Sequence, residues 1–196
     1  MIPPLAALGA ADRWLLLKIN RDWTAPALDA AMPVFTNLQK VPWFVYGAGP
    51  ALLALWLWKG RRKALKVLVV AALAMGTSDF VAYRVIKPWA ARPRPEYSVP
   101  GVDVRVPNGG RDGFPSNHAS NVAAAAFVLS AAYPGGTLAF AAVAALVGYS
   151  RVYVGAHYPG DVLAGWALGA AIGWAWAAVL LGGPGGASGK KRRSRA

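Results

Sequence analysis

Five apolar runs constrain this chain more than any other feature. They occupy residues 41–58, 64–86, 118–133, 137–154 and 162–181. A helix crosses a bilayer with about 20 apolar residues. Each run is close to that length, although the third reaches it only when its Ala-rich start is counted. Five buried core helices in a chain of 196 residues would leave too little polar surface for a soluble shell. The runs therefore predict an all-α, polytopic transmembrane helix bundle.

Charge is distributed to suit that reading. The formal net charge is +13, which could suggest nucleic acid. The positive residues, however, are grouped at the ends of apolar runs, as cytoplasmic anchors beside anionic lipid are. No nucleic-acid partner is expected. The chain has no cysteine, which excludes disulfides and thiolate chemistry. The N-terminus lacks a basic region, compact apolar core and cleavage site in succession, so a cleaved signal peptide is not expected.

Two basic clusters orient the spans. "KGRRK" (residues 59–63) separates the first two runs, and "KKRRSR" (residues 190–195) follows the Gly-rich "GGPGGASG". With both in the cytoplasm, the second run travels outward and the loop 88–115 lies outside. The third run returns, "PGG" makes an inner turn, and the fourth run delivers "SRVYVGAHYPGD" (residues 150–161) to the outer face. The fifth run brings the chain back inside. The expected organisation is an interfacial amphipathic helix in residues 1–24, a membrane domain in 25–182 with an outer loop in 88–117, and a disordered basic tail in 183–196. Residues 25–38 contain Pro33 and form either a re-entrant piece or a sixth, kinked span. Five to six spans are expected, with six favoured. In the last run Gly165, Gly169 and Gly173 recur every four residues, a stripe expected to pack against a helix of the same chain rather than a second copy.

The threading gathers polar residues on one face. Lys87, Arg92 and Arg94 come from "KPWAARPRP". Ser116, Asn117 and His118 come from "GFPSNHAS". Arg151, His157 and Asp161 come from the stretch after the fourth run. Lys and Arg supply fixed charge, and the Arg fork suits phosphate oxygens. Taken alone, Lys87 would equally serve as a headgroup anchor. Ser116 can cap a helix whose first N–H groups, those of Asn117 and His118, form an anion site. Asp161, four residues after His157, can fix its tautomer and leave the other ring nitrogen as a nucleophile. A second imidazole can protonate a leaving oxygen. This inventory reads as metal-free phosphoryl transfer through a phosphohistidine.

These stretches resemble the three signature motifs of the type 2 phosphatidic acid phosphatase superfamily, which includes the vanadium haloperoxidases. Lys87, Arg94 and Pro95 fit the first motif. Pro115, Ser116 and His118 fit the second, and Ser150, Arg151, His157 and Asp161 the third. The resemblance implies that His157 is the nucleophile, Asp161 its orienting partner and His118 the general acid. It implies phosphate ligands at Lys87, Arg94, Ser116 and Arg151, joined by backbone N–H groups near Asn117. Asn117 departs from the pattern, which has glycine there. Arg92 is an additional cation, either a further phosphate contact or a lipid anchor. Asp79 is expected to pair with Arg84 or pack with Thr77 and Ser78. Trp43, Trp89, Tyr153 and Tyr158 read as interfacial aromatics.

The expected function is hydrolysis of a lipid phosphate or diphosphate at the outer leaflet, which in a bacterium is the periplasmic face of the inner membrane. A polyprenyl diphosphate carrier, a glycerophospholipid and a lipid A-type phosphate all remain open as substrates. The alternatives are phosphoryl transfer between lipids and a non-enzymatic phosphate or lipid transporter. The partners are the lipid substrate and the bilayer, and no cofactor is expected.

Overall fold

The computed structural model describes residues 3–107 and 109–182, so the basic tail expected in 183–196 lies outside the described residues. Seven α-helices carry the fold: α1 (Pro3–Leu17), α2 (Pro26–Thr36), α3 (Gly49–Phe80), α4 (Lys87–Ala90), α5 (Asn117–Ala132), α6 (Thr137–Tyr153) and α7 (Pro159–Leu181). There is no strand among the described residues, only an isolated bridge between Pro93 and Asp112 in the outer loop. Three helical stretches, Phe44–Ala90, Pro134–Tyr153 and Pro159–Leu181, are long and apolar enough to cross a membrane.

The first of these stretches folds back on itself. Arg61 stands in its middle with φ 46° and ψ −126°, outside helical geometry. A straight helix from residue 40 to 87 would be about 70 Å long at 1.5 Å per residue. Yet Lys40 and Lys87 line the same cavity. The chain must therefore reverse at the break, inside "KGRRK", where the sequence places a turn. The turn lies at the far end of the bundle from that cavity. Lys63 sits 4.3 Å from the ring centroid of Tyr133, just beyond α5, while Asn117 begins α5 at the cavity. Leu180 and Leu181 pack beside Tyr133 in the same cluster, so the chain leaves α7 on the side of the basic turn.

Glycine decides how tightly the center packs. α5 and α7 form the most extensive helix contact, and Gly165, Gly169 and Gly173 are all buried in it. A Cβ on Gly165 would lie 2.6 Å from the Ser116 carbonyl oxygen, and one on Gly173 2.6 Å from that of Ala124. One on Gly169 would collide with the Ser120 carbonyl. The stripe thus brings α7 directly onto the α5 backbone, the intramolecular packing expected of it. It also sets the start of α7 beside the start of α5, where the Ser116 N–H donates to the Asp161 carbonyl at 3.0 Å.

The N-terminal region caps the cavity end. α2 has 11 residues, or about 16 Å of helix, roughly half the hydrocarbon thickness. The sequence favours a sixth crossing in residues 25–38; α2 alone supplies about half the length that a crossing needs. Its residues bond into the cavity end instead. Asp29 accepts from Arg105 at 2.9 Å and from the Tyr153 hydroxyl at 2.8 Å. Asn20, fully buried after α1, donates to the carbonyls of Asp103 and Tyr153 and accepts the Asp103 N–H. These bonds tie the segment after α1, α2, the loop before α5 and the end of α6 into one cap. Tyr153 and Tyr158 are accordingly buried, not interfacial as their sequence positions suggested; Trp43 and Trp89 are exposed.

Candidate functional site

A cavity of about 690 Å³ opens at the capped end, within the size range of small-molecule sites. Its wall brings together six of the eight residues singled out by sequence: Lys87, Arg94, Asn117, His118, Arg151 and His157. Ser116 and Asp161 are fully buried behind the wall and do not line it. Ser116 is instead the N-cap of α5, its hydroxyl accepting the Ala119 N–H at 3.4 Å. Sequence reasoning missed Gln39, Lys40, Arg84 and Arg111, which also line the cavity. Six cationic side chains therefore face the space, against one carboxylate, that of Asp112. None of the six is paired with a carboxylate among the described residues.

Each inner cation is aimed by the backbone around it. Lys87 follows a wide π-helical turn, Val81–Ile86, a distortion common at functional sites. Its ammonium donates to the Pro115 carbonyl at 2.8 Å and the Asp112 carbonyl at 3.3 Å. Arg94 donates to the carbonyls of Gly110 at 2.9 Å and Ala156 at 3.0 Å. Burial pushes the Arg94 guanidinium below its ordinary pKa, because its charge sits away from water. Arg151 donates to the Thr36 hydroxyl at 2.6 Å, while its buried Nε has no partner in the protein. That contact holds the end of α2 beside the cavity, which Asn37, Gln39 and Lys40 line just after it.

The hydrogen-bond pattern fixes the state of His157. Arg94 Nη1 lies 2.9 Å from His157 Nε2. A guanidinium can only donate, so Nε2 is the acceptor and its lone pair is directed at Arg94. The ring proton then belongs to Nδ1, which faces Asp161 Oδ2 at 3.6 Å and has no closer hydrogen-bond partner. The carboxylate expected to orient this ring is thus adjacent, just beyond hydrogen-bond length. Burial, and then the charges of Arg151, Arg94 and Lys87, hold His157 well below the usual histidine pKa. The ring is therefore neutral at neutral pH. His118, the first full turn of α5, lies 3.5 Å from the Gln39 amide.

Two expectations need correction. Arg92 is neither a cavity residue nor a free anchor. It donates to Asp161 at 2.7 Å and Asp12 at 2.6 Å, and lies 4.0 Å from the Tyr158 ring centroid. Burial lowers its pKa, but Asp161 and Asp12 outweigh that and hold it above its ordinary value. Among the described residues, Asp79 forms no ion pair with Arg84. It accepts from the side-chain amides of Asn117 at 2.8 Å and Asn121 at 3.2 Å. Residues one turn apart on α5 reach it because the limb of α3 after Arg61 lies against that helix.

The PAP2 superfamily matches residues 63–181 of this chain, a stretch that contains all three motifs. The chain belongs to the PAP2 superfamily. No curated protein sequence matches it. It is similar to the crystal structure of Aquifex aeolicus LpxE, with 25% identity and a TM-score of 0.64 over 83% of this chain and 92% of that one. It is equally similar to the transmembrane PAP2-type phosphatidylglycerolphosphate phosphatase of Bacillus subtilis. There the identity is 25% and the TM-score 0.64, over 88% of this chain and 86% of the other. With its membrane-length apolar helices, this PAP2 protein is an integral membrane protein.

Proposed function

We propose that this protein is a membrane phosphatase that hydrolyses a lipid phosphate or diphosphate through a phosphohistidine on His157. The observation that carries this reading is the cavity wall. Six cations, one carboxylate and both histidines of the chain surround one space. Such a wall suits an anion whose charge grows in the transition state. It is a poor donor set for a metal ion, which needs clustered carboxylate or neutral imidazole ligands and few cations nearby. Membership in the PAP2 superfamily and similarity to a solved phosphatidylglycerolphosphate phosphatase support the same class of reaction.

The chemistry proceeds in two steps. As substrate enters, the Arg94 N–H that donates to His157 Nε2 turns to a phosphoryl oxygen. The freed Nε2 lone pair attacks phosphorus, a P–N bond forms, and the bond from phosphorus to the lipid oxygen breaks. His118 gives its proton to the departing oxygen. Water then attacks phosphorus, the P–N bond breaks, and His118 takes the proton from that water. Lys87, Arg94 and Arg151 hold the phosphoryl oxygens throughout, with the N–H groups at the start of α5. Ser116 maintains that helix start, and Asn117, gripped by Asp79, forms the adjacent wall. The reading includes five crossings: the two limbs of α3 on either side of Arg61, then α5, α6 and α7. The basic turn is cytoplasmic, the cavity faces the outer leaflet, and α1 lies in the interface on the cavity side.

The test is phosphate release by the purified full-length protein from dioleoyl phosphatidate, farnesyl phosphate and farnesyl diphosphate. Release by the wild type, loss in His157→Ala and His118→Ala, and persistence in a chelator are expected. A folded wild type that releases no phosphate from any of them contradicts hydrolysis and favours a transporter. Transfer of the phosphoryl group to an added lipid alcohol in place of water would convert the reading to phosphotransfer.

A further inference from the structure

Asp161 is fully buried at the start of α7, and its two oxygens have different duties. Oδ2 accepts the Tyr158 N–H at 3.0 Å and faces His157 Nδ1 at 3.6 Å. Oδ1 accepts from Arg92, which does not line the cavity, at 2.7 Å. A buried carboxylate requires a countercharge, and the cavity cations are occupied elsewhere. Lys87 is directed to backbone carbonyls, Arg94 to Ala156 and His157, and Arg151 to Thr36. Among the described residues, Arg92 is the one lysine or arginine that pairs with Asp161.

Arg92 is itself gripped. Its second nitrogen donates to Asp12 Oδ2 at 2.6 Å, and the guanidinium stacks on the ring of Tyr158. The other oxygen of Asp12 accepts the Gly160 N–H at 2.7 Å. Helix α1, far from the motifs in sequence, is thus fastened to the same helix start that carries Asp161. Resting on the hydrolytic reading above, we propose that Arg92 and Asp12 are positioning residues for phosphoryl transfer. Arg92 fixes the Asp161 carboxylate with Oδ2 turned toward His157, and Asp12 fixes Arg92. As Nε2 bonds to phosphorus, positive charge grows on the ring and the Nδ1–H closes on Oδ2. A carboxylate free to rotate would meet that charge less often. Neither residue touches the substrate.

The experiment is steady-state kinetics of the full-length protein in neutral detergent with dioleoyl phosphatidate and farnesyl diphosphate. Arg92→Gln is expected to lower kcat about 100-fold, the scale of a misplaced catalytic group. KM and competitive inhibition by inorganic phosphate should stay unchanged, since the cavity cations are untouched. Asp12→Asn should lower kcat about tenfold, the lower end for a supporting contact. The double variant should be no worse than Arg92→Gln alone, because both act through one carboxylate. Arg92→Lys should recover part of the loss. The proposal is overturned if kcat is unaffected in either single variant. It is equally overturned if the two losses multiply, or if KM and phosphate inhibition move together with kcat. Should Arg92→Gln fail to fold, Asp12→Asn, nearly equal in size, decides the matter by the same split. An inactive wild type would instead remove the hydrolytic reading, and this proposal with it.

Discussion

The two ends of this bundle are built on different principles. At the cavity end, Lys87, Arg94, Arg151, His157 and Asp161 are all buried, and most are held by bonds to carbonyls or to one another. At the end that carries the basic turn, the buried side chains are Val67, Val70, Ala71, Ala74, Ala124 and Val128. There the cations of "KGRRK" lie outside the core, and Lys63 rests on Tyr133. Buried charge is expensive in lipid and persists where it has a task. The contrast teaches that one half of the protein holds the bundle together and the other half holds charge in place.

Breaking the charged half should have the largest effect. Arg94→Ala removes a phosphate ligand and the donor to His157 Nε2. Its kcat/KM is expected to fall about 10²–10³-fold, the usual loss for one transition-state donor. Phosphate release at low substrate concentration measures this, and thermal unfolding in detergent should change little by comparison. Next comes the joint between the halves. Gly169→Leu forces a side chain onto the α5 backbone and is expected to cost about 1–3 kcal/mol or more through overpacking. Unfolding in detergent reads that loss, with activity falling alongside it. Val179→Leu on the exposed face of the same helix should leave both unchanged.

Two further outcomes sharpen the contrast. In His118→Ala the sole remaining histidine is His157. Because its pKa is depressed, the ring must stay neutral as pH falls through the ordinary value of about 6.5 and gain a proton only well below it. Histidine NMR across that range tests this, and a titration near 6.5 would contradict the burial and charge assigned to the site. The smallest effect belongs to the basic turn. Lys59→Gln with Lys63→Gln should keep kcat/KM within about twofold, the scale of an exposed substitution.

The difference between the halves also explains what could be read from the sequence. Lys87, Arg94, His118, Arg151 and His157 were legible because each stands beside an apolar run, and a bundle leaves such residues few places to go. The turn at "KGRRK" was legible from its charge, and the Gly165–Gly169–Gly173 stripe from its spacing, though not its partner α5. What stayed hidden depended on long-range pairing. Nothing near Asp12 points to Arg92, 80 residues away. Asp79 finds Asn117 and Asn121 only through helix contact, and Thr36 reaches Arg151 only once the end of α2 meets α6. Residues 25–38 are apolar enough to resemble a span, and nothing in the sequence signals that the helix they form has only 11 residues and ends in polar bonds. Tyr153 and Tyr158 look interfacial by position, but their hydroxyls bond to Asp29 and Ser98 inside the cap.

The most direct test of the central claim is to trap the covalent enzyme. Protein mixed briefly with lipid phosphate carrying a labelled phosphorus is quenched in base, where phosphohistidine survives and phosphoserine esters do not. The account predicts one label per protein at most, located on His157 and absent from His157→Ala. A wild type that turns over substrate without ever carrying label, or a label that persists in His157→Ala, would contradict it.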